Sequence, residues 1–199
     1  SPRGVNLPGE DDSYDFGAGA GFYLDATQAP WDRHYKMASY VCDELVPLLK
    51  ASFPLSGRFG VTGHSMGGHG ALTLFLKRPD VFASASAFAP ICAPVECPWG
   101  QKAFKRYLGS VDAGATYDAC KLVAAYTGPR VPLLVDQGTA DKFLEDQLKP
   151  ELLRAACAAA GYPLMLRYHE GYDHSYFFVA TYMDDHLKHH SLYLNSAGK

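Results

Sequence analysis

The pentapeptide Gly63-His64-Ser65-Met66-Gly67 carries the clearest chemical meaning in this sequence. It fits G-x-S-x-G, in which a serine sits on a strained turn between a strand and a helix and projects its hydroxyl into a cleft. Glycine at each end lets the backbone pass close to its neighbours without a Cβ. A glycine-rich turn without chemistry would match the same five letters, so the context decides. Residues 58–62 (RFGVT) form a short strand candidate before the motif. Ala71, Leu72, Leu74, Phe75 and Leu76 give the segment after it the apolar face of a helix.

A serine hydroxyl is a weak nucleophile at neutral pH and needs a base, and the base needs an orienting acid. Two downstream segments offer them. Asp136-Gln137-Gly138-Thr139-Ala140-Asp141 follows a third strand candidate, and Gly171-Tyr172-Asp173-His174-Ser175 follows a fourth. His174 opens a helix after a glycine turn, which suits a base whose ring must enter a cleft; His169, at the end of the fourth strand, is the rival. Asp136 and Asp141 compete as the acid. Asp136 is still on its strand, whereas Asp141 lies in the loop beyond and can reach across to His174, which favours it. The plain alternative for Asp141 is a helix cap before Phe143 and Leu144. The Met66 backbone N–H, first in the helix after the serine, is the expected donor to an oxyanion.

Other features carry less. His64 and His69 flank the serine on the turn itself. His186, His189 and His190 read as a solvated helix face, with His186 and His190 spaced so that they could also hold a metal. Gly17-Ala18-Gly19-Ala20-Gly21 follows an acidic loop and no apolar strand, which rules out a dinucleotide site and leaves a flexible loop bordering the cleft. Trp99, in an irregular stretch after the second strand, is either a packing aromatic or a wall of an acyl pocket.

Positioning these residues takes a regular scaffold. The pattern predicts loop over residues 1–33 and a helix over 34–51. Strands are expected at 58–62, 82–88, 131–136 and 164–168, with helices over 145–160 and 175–193. Strands alternating with helices imply an α/β fold, a mostly parallel sheet covered on both faces, with ligands outside the carboxyl ends of the strands. The order serine, acid, histidine is that of the α/β-hydrolase fold.

The bulk numbers narrow the function. The 199 residues suffice for one domain, read as residues 1–199, and 48% apolar with 20% charged is an ordinary globular composition. A net charge of -3 gives no electrostatic footprint for nucleic acid. No run reaches the 18 or so apolar residues of a membrane helix. Five cysteines, odd in number and scattered, fit neither a disulfide framework nor a zinc site, and point to a reducing compartment. Ser1-Pro2-Arg3-Gly4 reads as the interior of a longer chain, so an N-terminal segment is expected before it.

The stretches SPRG, EDDSYDFGAGAGFYLDAT, GHSMGGHGAL, FAPIC with CPWG, VDQGTAD and EGYDHSYFF, spread from Ser1 to His190, resemble the S-formylglutathione hydrolase (esterase D) family. GHSMGGHGAL and EGYDHSYFF together are specific within the α/β-hydrolase class. The resemblance implies Ser65 as nucleophile, Asp141 as acid and His174 as base, with no metal or organic cofactor. It implies a cytoplasmic homodimer that hydrolyses S-formylglutathione in formaldehyde detoxification and also acts on simple aryl esters. It further implies first strands and a second oxyanion donor ahead of SPRG; without them the strand before Ser65 is a bare edge. Two other readings stay open: an acyltransferase on the same fold, and a catalytically silent scaffold.

Overall fold

Short apolar strands need cover on both faces, and the chain supplies it with helices packed on a four-stranded parallel sheet in the order β1-β2-β3-β4. The structure is a computed structural model that describes residues 1–195; residues 196–199 of the span read as one domain lie outside the described residues. The helix expected over 34–51 is α1 (Met37–Ser39), a π-helical stretch at Tyr40–Leu45, and α2 (Val46–Ser52). Pro47 explains the interruption: it has no N–H and its ring crowds the preceding turn, so the turn before it widens.

Then come β1 (Phe59–His64), α3 (Met66–Lys77), β2 (Phe82–Phe88), α4 (Pro98–Leu108), α5 (Ala119–Ala124), β3 (Leu133–Gly138), α6 (Pro150–Ala160), β4 (Leu164–His169) and α7 (Tyr176–Leu194). All four expected strands exist; β2 has the expected bounds, and the ends of the other three shift by at most two residues. The helix expected over 145–160 is a π-helical turn at Leu144–Leu148 and a separate α6. Lys149 breaks it at φ 50°, because Pro150 disfavours helical backbone in the residue before it. The stretch around Trp99, expected to be irregular, is the first turn of α4, with Pro98 opening the helix and Gly109 closing it at φ 89°.

The parallel register sets the rim of the sheet. His64 pairs with Phe88, Phe88 with Asp136, and Asp136 with Arg167. The segments that leave β1, β3 and β4 therefore emerge side by side. The glycine-rich N-terminal region forms two short 3-10 turns, Gly17–Gly19 and Trp31–Arg33. It is pinned rather than loose: Tyr107 of α4 accepts the Gly17 N–H at 2.8 Å and donates to the Ala20 carbonyl at 2.8 Å. Phe16 stacks on Tyr107 at 4.3 Å, and Trp31 meets Phe16 edge-on at 4.9 Å. Burying each such ring contributes about 1.5–3 kcal/mol, enough to fold this irregular segment onto α4.

The histidines of α7 correct an expectation. His186, His189 and His190 are buried against the sheet, not solvated. Ser84 and Ser86 of β2 lie 2.7 and 2.8 Å from His190 Nδ1 and Nε2, so both ring nitrogens are satisfied. Gly60 makes the room, because a Cβ there would stand 2.5 Å from His190 Nδ1. His186 turns instead to Phe88, ring centroids 3.6 Å apart, and to Asp136 at 3.2 Å. The two therefore take different partners. Among the described residues, no group of three or more His, Cys, Asp or Glu could hold a metal ion, and no helix is long and apolar enough to cross a membrane.

Candidate active site

Ser65 stands between the last residue of β1 and the first of α3, at φ 58° and ψ -120°. That is costly for a residue with a side chain, and the surroundings hold it. Its N–H donates to the Phe88 carbonyl at 2.8 Å, and its carbonyl accepts from His69 at 3.0 Å. Gly63 is obligatory: a Cβ there would lie 2.1 Å from the Gly67 carbonyl oxygen. Met66 is the first helical residue of α3, so its N–H has no acceptor within the helix and sits at the positive end of the helix dipole.

Asp141 lies three residues past β3, where it accepts from His174. Its Oδ2 is 2.5 Å from His174 Nδ1 and 3.3 Å from Gln137 Nε2, and its Oδ1 takes the Phe143 N–H at 2.9 Å. The cap-like bond to Phe143 and the bond to His174 are thus made together by one buried carboxylate. Burial pushes Asp141 up, but the bonds from His174 and the Phe143 N–H outweigh it and hold the carboxyl below its ordinary value. The His174 ring is fixed from two sides, by His64 at 4.5 Å and by Phe143, edge-on at 5.1 Å. Burial and the neighbouring His174 push His64 down to about 4. Ser65, His64, His174 and Tyr176 line one open cleft of about 800 Å³.

The rivals are engaged elsewhere. Asp136 is fully buried and bound by Arg167 through both oxygens, at 2.6 and 2.5 Å, and by His186. Burial pushes its carboxyl up, but His186 and Arg167 hold it at about 2. His169 Nε2 is 3.3 Å from Asp136 Oδ1, without hydrogen-bond geometry, and its ring packs on Tyr182 at 3.7 Å. Neither residue reaches the cleft where Ser65 lies.

A second, smaller cavity of about 180 Å³ opens beside the serine, lined by Ser65, Met66, Ala20, Phe22, Ile91 and Trp99. The loop of glycines does border the serine here, through Gly19 and Ala20. The Trp99 ring leans on Phe143 at 4.8 Å, and the Trp99 backbone N–H donates to Gln147 Oε1 at 3.1 Å.

Several residues that hold this rim escaped the sequence reading. Thr139 N donates to the His169 carbonyl, Ala140 N to the Tyr172 carbonyl and Gly171 N to Thr139 Oγ1, each at 3.0 Å. These three bonds tie the Asp141 loop to the His174 loop. A Cβ on Gly138 would sit 2.2 Å from the Tyr172 carbonyl oxygen. The usable signal was the polar and glycine run Gln137-Gly138-Thr139, which closes the buried strand β3 and opens the loop after it.

Similarity to known proteins agrees with this geometry. The Esterase family model matches residues 1–189. The S-formylglutathione hydrolase of Rattus norvegicus is 53% identical over 98% of this chain and 71% of its own length. That of Arabidopsis thaliana is 50% identical over 96% of this chain and 68% of its own length. A solved S-formylglutathione hydrolase from Agrobacterium tumefaciens superposes with a TM-score of 0.92 at 48% identity, covering 98% of this chain and 71% of that one. An α/β-hydrolase sheet, a serine on its elbow and these relatives converge: the chain belongs to the esterase family, alongside the S-formylglutathione hydrolases it matches over nearly its whole length.

Proposed function

We propose that this protein is a serine hydrolase that cleaves S-formylglutathione to glutathione and formate, with Ser65 as nucleophile, His174 as base and Asp141 as its orienting acid. The observation that supports it most is the 2.5 Å contact between His174 Nδ1 and the buried Asp141, on the same cleft as the strained Ser65. The carboxylate fixes the tautomer: Nδ1 carries the proton, leaving Nε2 free to accept one.

Ser65 Oγ attacks the thioester carbonyl as His174 Nε2 takes its proton. The oxyanion is met by the Met66 N–H, and a missing donor of this kind costs about 10²–10³ in rate. The tetrahedral intermediate collapses, the C–S bond breaks, and His174 returns the proton to the departing sulfur. A thiol pKa of about 8.5 makes glutathione a good leaving group. Water, deprotonated by His174, then attacks the formyl-serine ester and releases formate. Each step moves only protons and acyl bonds, so these side chains suffice. Trp99 is read as a wall of the acyl cavity.

The same reading takes residues 1–199 as one domain and the protein as a cytoplasmic homodimer with no nucleic-acid partner. Turnover of S-formylglutathione and p-nitrophenyl acetate by the natural protein and by Ser65→Ala tests it. Loss on the order of 10⁶-fold is expected; retained turnover contradicts the assignment.

A further inference from the structure

His69 is a fully buried histidine, one helical turn beyond Ser65, for which the hydrolytic cycle has no use. Its Nε2 lies 3.0 Å from the Phe22 carbonyl oxygen. A carbonyl only accepts, so Nε2 carries the proton and donates. Burial pushes His69 down to about 4, and a neutral ring has one N–H to give. It is spent on Phe22, and Nδ1 is left buried without a partner.

The segment that receives this bond is strained. Phe22 and Tyr23 both stand in the left-handed region, at φ 55° and 47°, an uncommon pair for aromatic residues. Such a conformation persists only where its surroundings over-determine it. Helix α3 provides that from two successive residues. His69 holds the Phe22 carbonyl and packs its ring on the Phe22 ring at 5.6 Å. Gly70 lets Tyr23 approach so closely that a Cβ would meet the Tyr23 ring at 2.5 Å. Phe22 is in turn a wall of the 180 Å³ cavity that Ser65 and Met66 share.

We propose that His69 is a positioning residue that sets the size of the acyl group accepted: by holding the strained Phe22–Tyr23 turn against α3, it keeps the cavity beside Ser65 small. This rests on the reading of Ser65 as the nucleophile. Without the bond, the turn relaxes, Phe22 withdraws, and longer acyl chains enter. Small acyl groups gain least, because they already fit.

The test compares kcat/KM for p-nitrophenyl acetate and p-nitrophenyl butyrate in the natural protein, His69→Leu and His69→Gln. Glutamine keeps an N–H donor at similar reach; leucine fills space without one. One methylene in an apolar pocket is worth about 10–200-fold, so the acetate-to-butyrate ratio should fall about 10-fold in His69→Leu and stay within about 3-fold in His69→Gln. A lesion that only loosened the fold would lower both substrates and leave the ratio alone. If all three proteins turn over both esters with one ratio, the role of His69 is overturned and the Ser65 reading stands. If the natural protein turns over neither ester, the Ser65 reading fails and takes this one with it. Should His69→Leu not fold, nitrogen NMR of the natural protein decides: an Nε2-protonated His69 supports the assignment, and an Nδ1-protonated one overturns it.

Discussion

Replacing Asp141 by Asn removes one charge and almost no volume, yet it should disable the base. In the native site, Oδ1 accepts the Phe143 N–H at 2.9 Å while Oδ2 accepts from His174 at 2.5 Å and from Gln137 at 3.3 Å. All three partners donate. An asparagine offers one acceptor and one donor atom. If its oxygen stays on Phe143, its NH2 faces His174 Nδ1, and the imidazole must give up its Nδ1 proton and carry it on Nε2. That tautomer cannot take the proton of Ser65. If the amide flips, its NH2 meets the Phe143 N–H, donor against donor. Either way the base is lost or misplaced, and kcat/KM for p-nitrophenyl acetate should fall about 10⁴-fold, or roughly 5.5 kcal/mol of barrier. The unmatched donor should also cost about 1–3 kcal/mol of stability. Its pH dependence has a defined sign. The Asp141 carboxyl is held below its ordinary value in the folded state, so its contribution is present above the usual carboxylate range near 4 and is lost as pH falls through the depressed value. The stability gap between the natural protein and Asp141→Asn, measured by urea unfolding at several pH values, should therefore close on acidification. A variant that keeps kcat/KM within tenfold of the natural protein refutes the reasoning.

Asp136→Asn, at the rival position, should instead cost about 3 kcal/mol of stability by stranding the bidentate Arg167 and His186, with kcat of the folded fraction little changed; chemical denaturation and active-site titration separate the two. Gly63→Ala should lower kcat/KM by at least about 10²-fold, because the new methyl cannot coexist with the Gly67 carbonyl 2.1 Å away; steady-state kinetics on soluble protein checks this. Ser86→Ala should cost about 1–3 kcal/mol by leaving a buried nitrogen of His190 unpaired, with kcat unchanged. His64, His69 and His190 are each held down to about 4 by burial. The unfolded chain binds protons that these groups refuse, so stability should fall as pH drops from about 6.5 toward 4, and a flat unfolding free energy over that window contradicts the burial.

The sheet was legible because its information is local. Four apolar runs bounded by turn formers gave four strands, and the serine motif named the crossing between β1 and α3. What failed was non-local. His186, His189 and His190 read as polar on a helix, and only the spatial neighbours Ser84, Ser86 and Gly60 turn that face into a buried one. Lys149 breaks a helix because of Pro150, a signal present in the sequence but overruled by the apolar periodicity around it. The N-terminal loop looked unstructured because its aromatics, Phe16, Phe22 and Trp31, follow no period; Phe16 and Trp31 are ordered by Tyr107 of α4, and Phe22 by His69 of α3 together with Phe104 of α4. At the rim, position along the chain nominated Ser65, His174 and, as a loop residue with reach, Asp141; what it could not show is that Arg167 and His186 already occupy Asp136.

The most direct measurement is the position of the acyl group during turnover. The natural protein is mixed with excess p-nitrophenyl acetate, quenched in acid within the burst, digested and mapped by mass spectrometry. The account predicts one acetyl group on the peptide containing Ser65, with none there in Ser65→Ala. An acetyl group carried by another side chain, with turnover undiminished in Ser65→Ala, contradicts it.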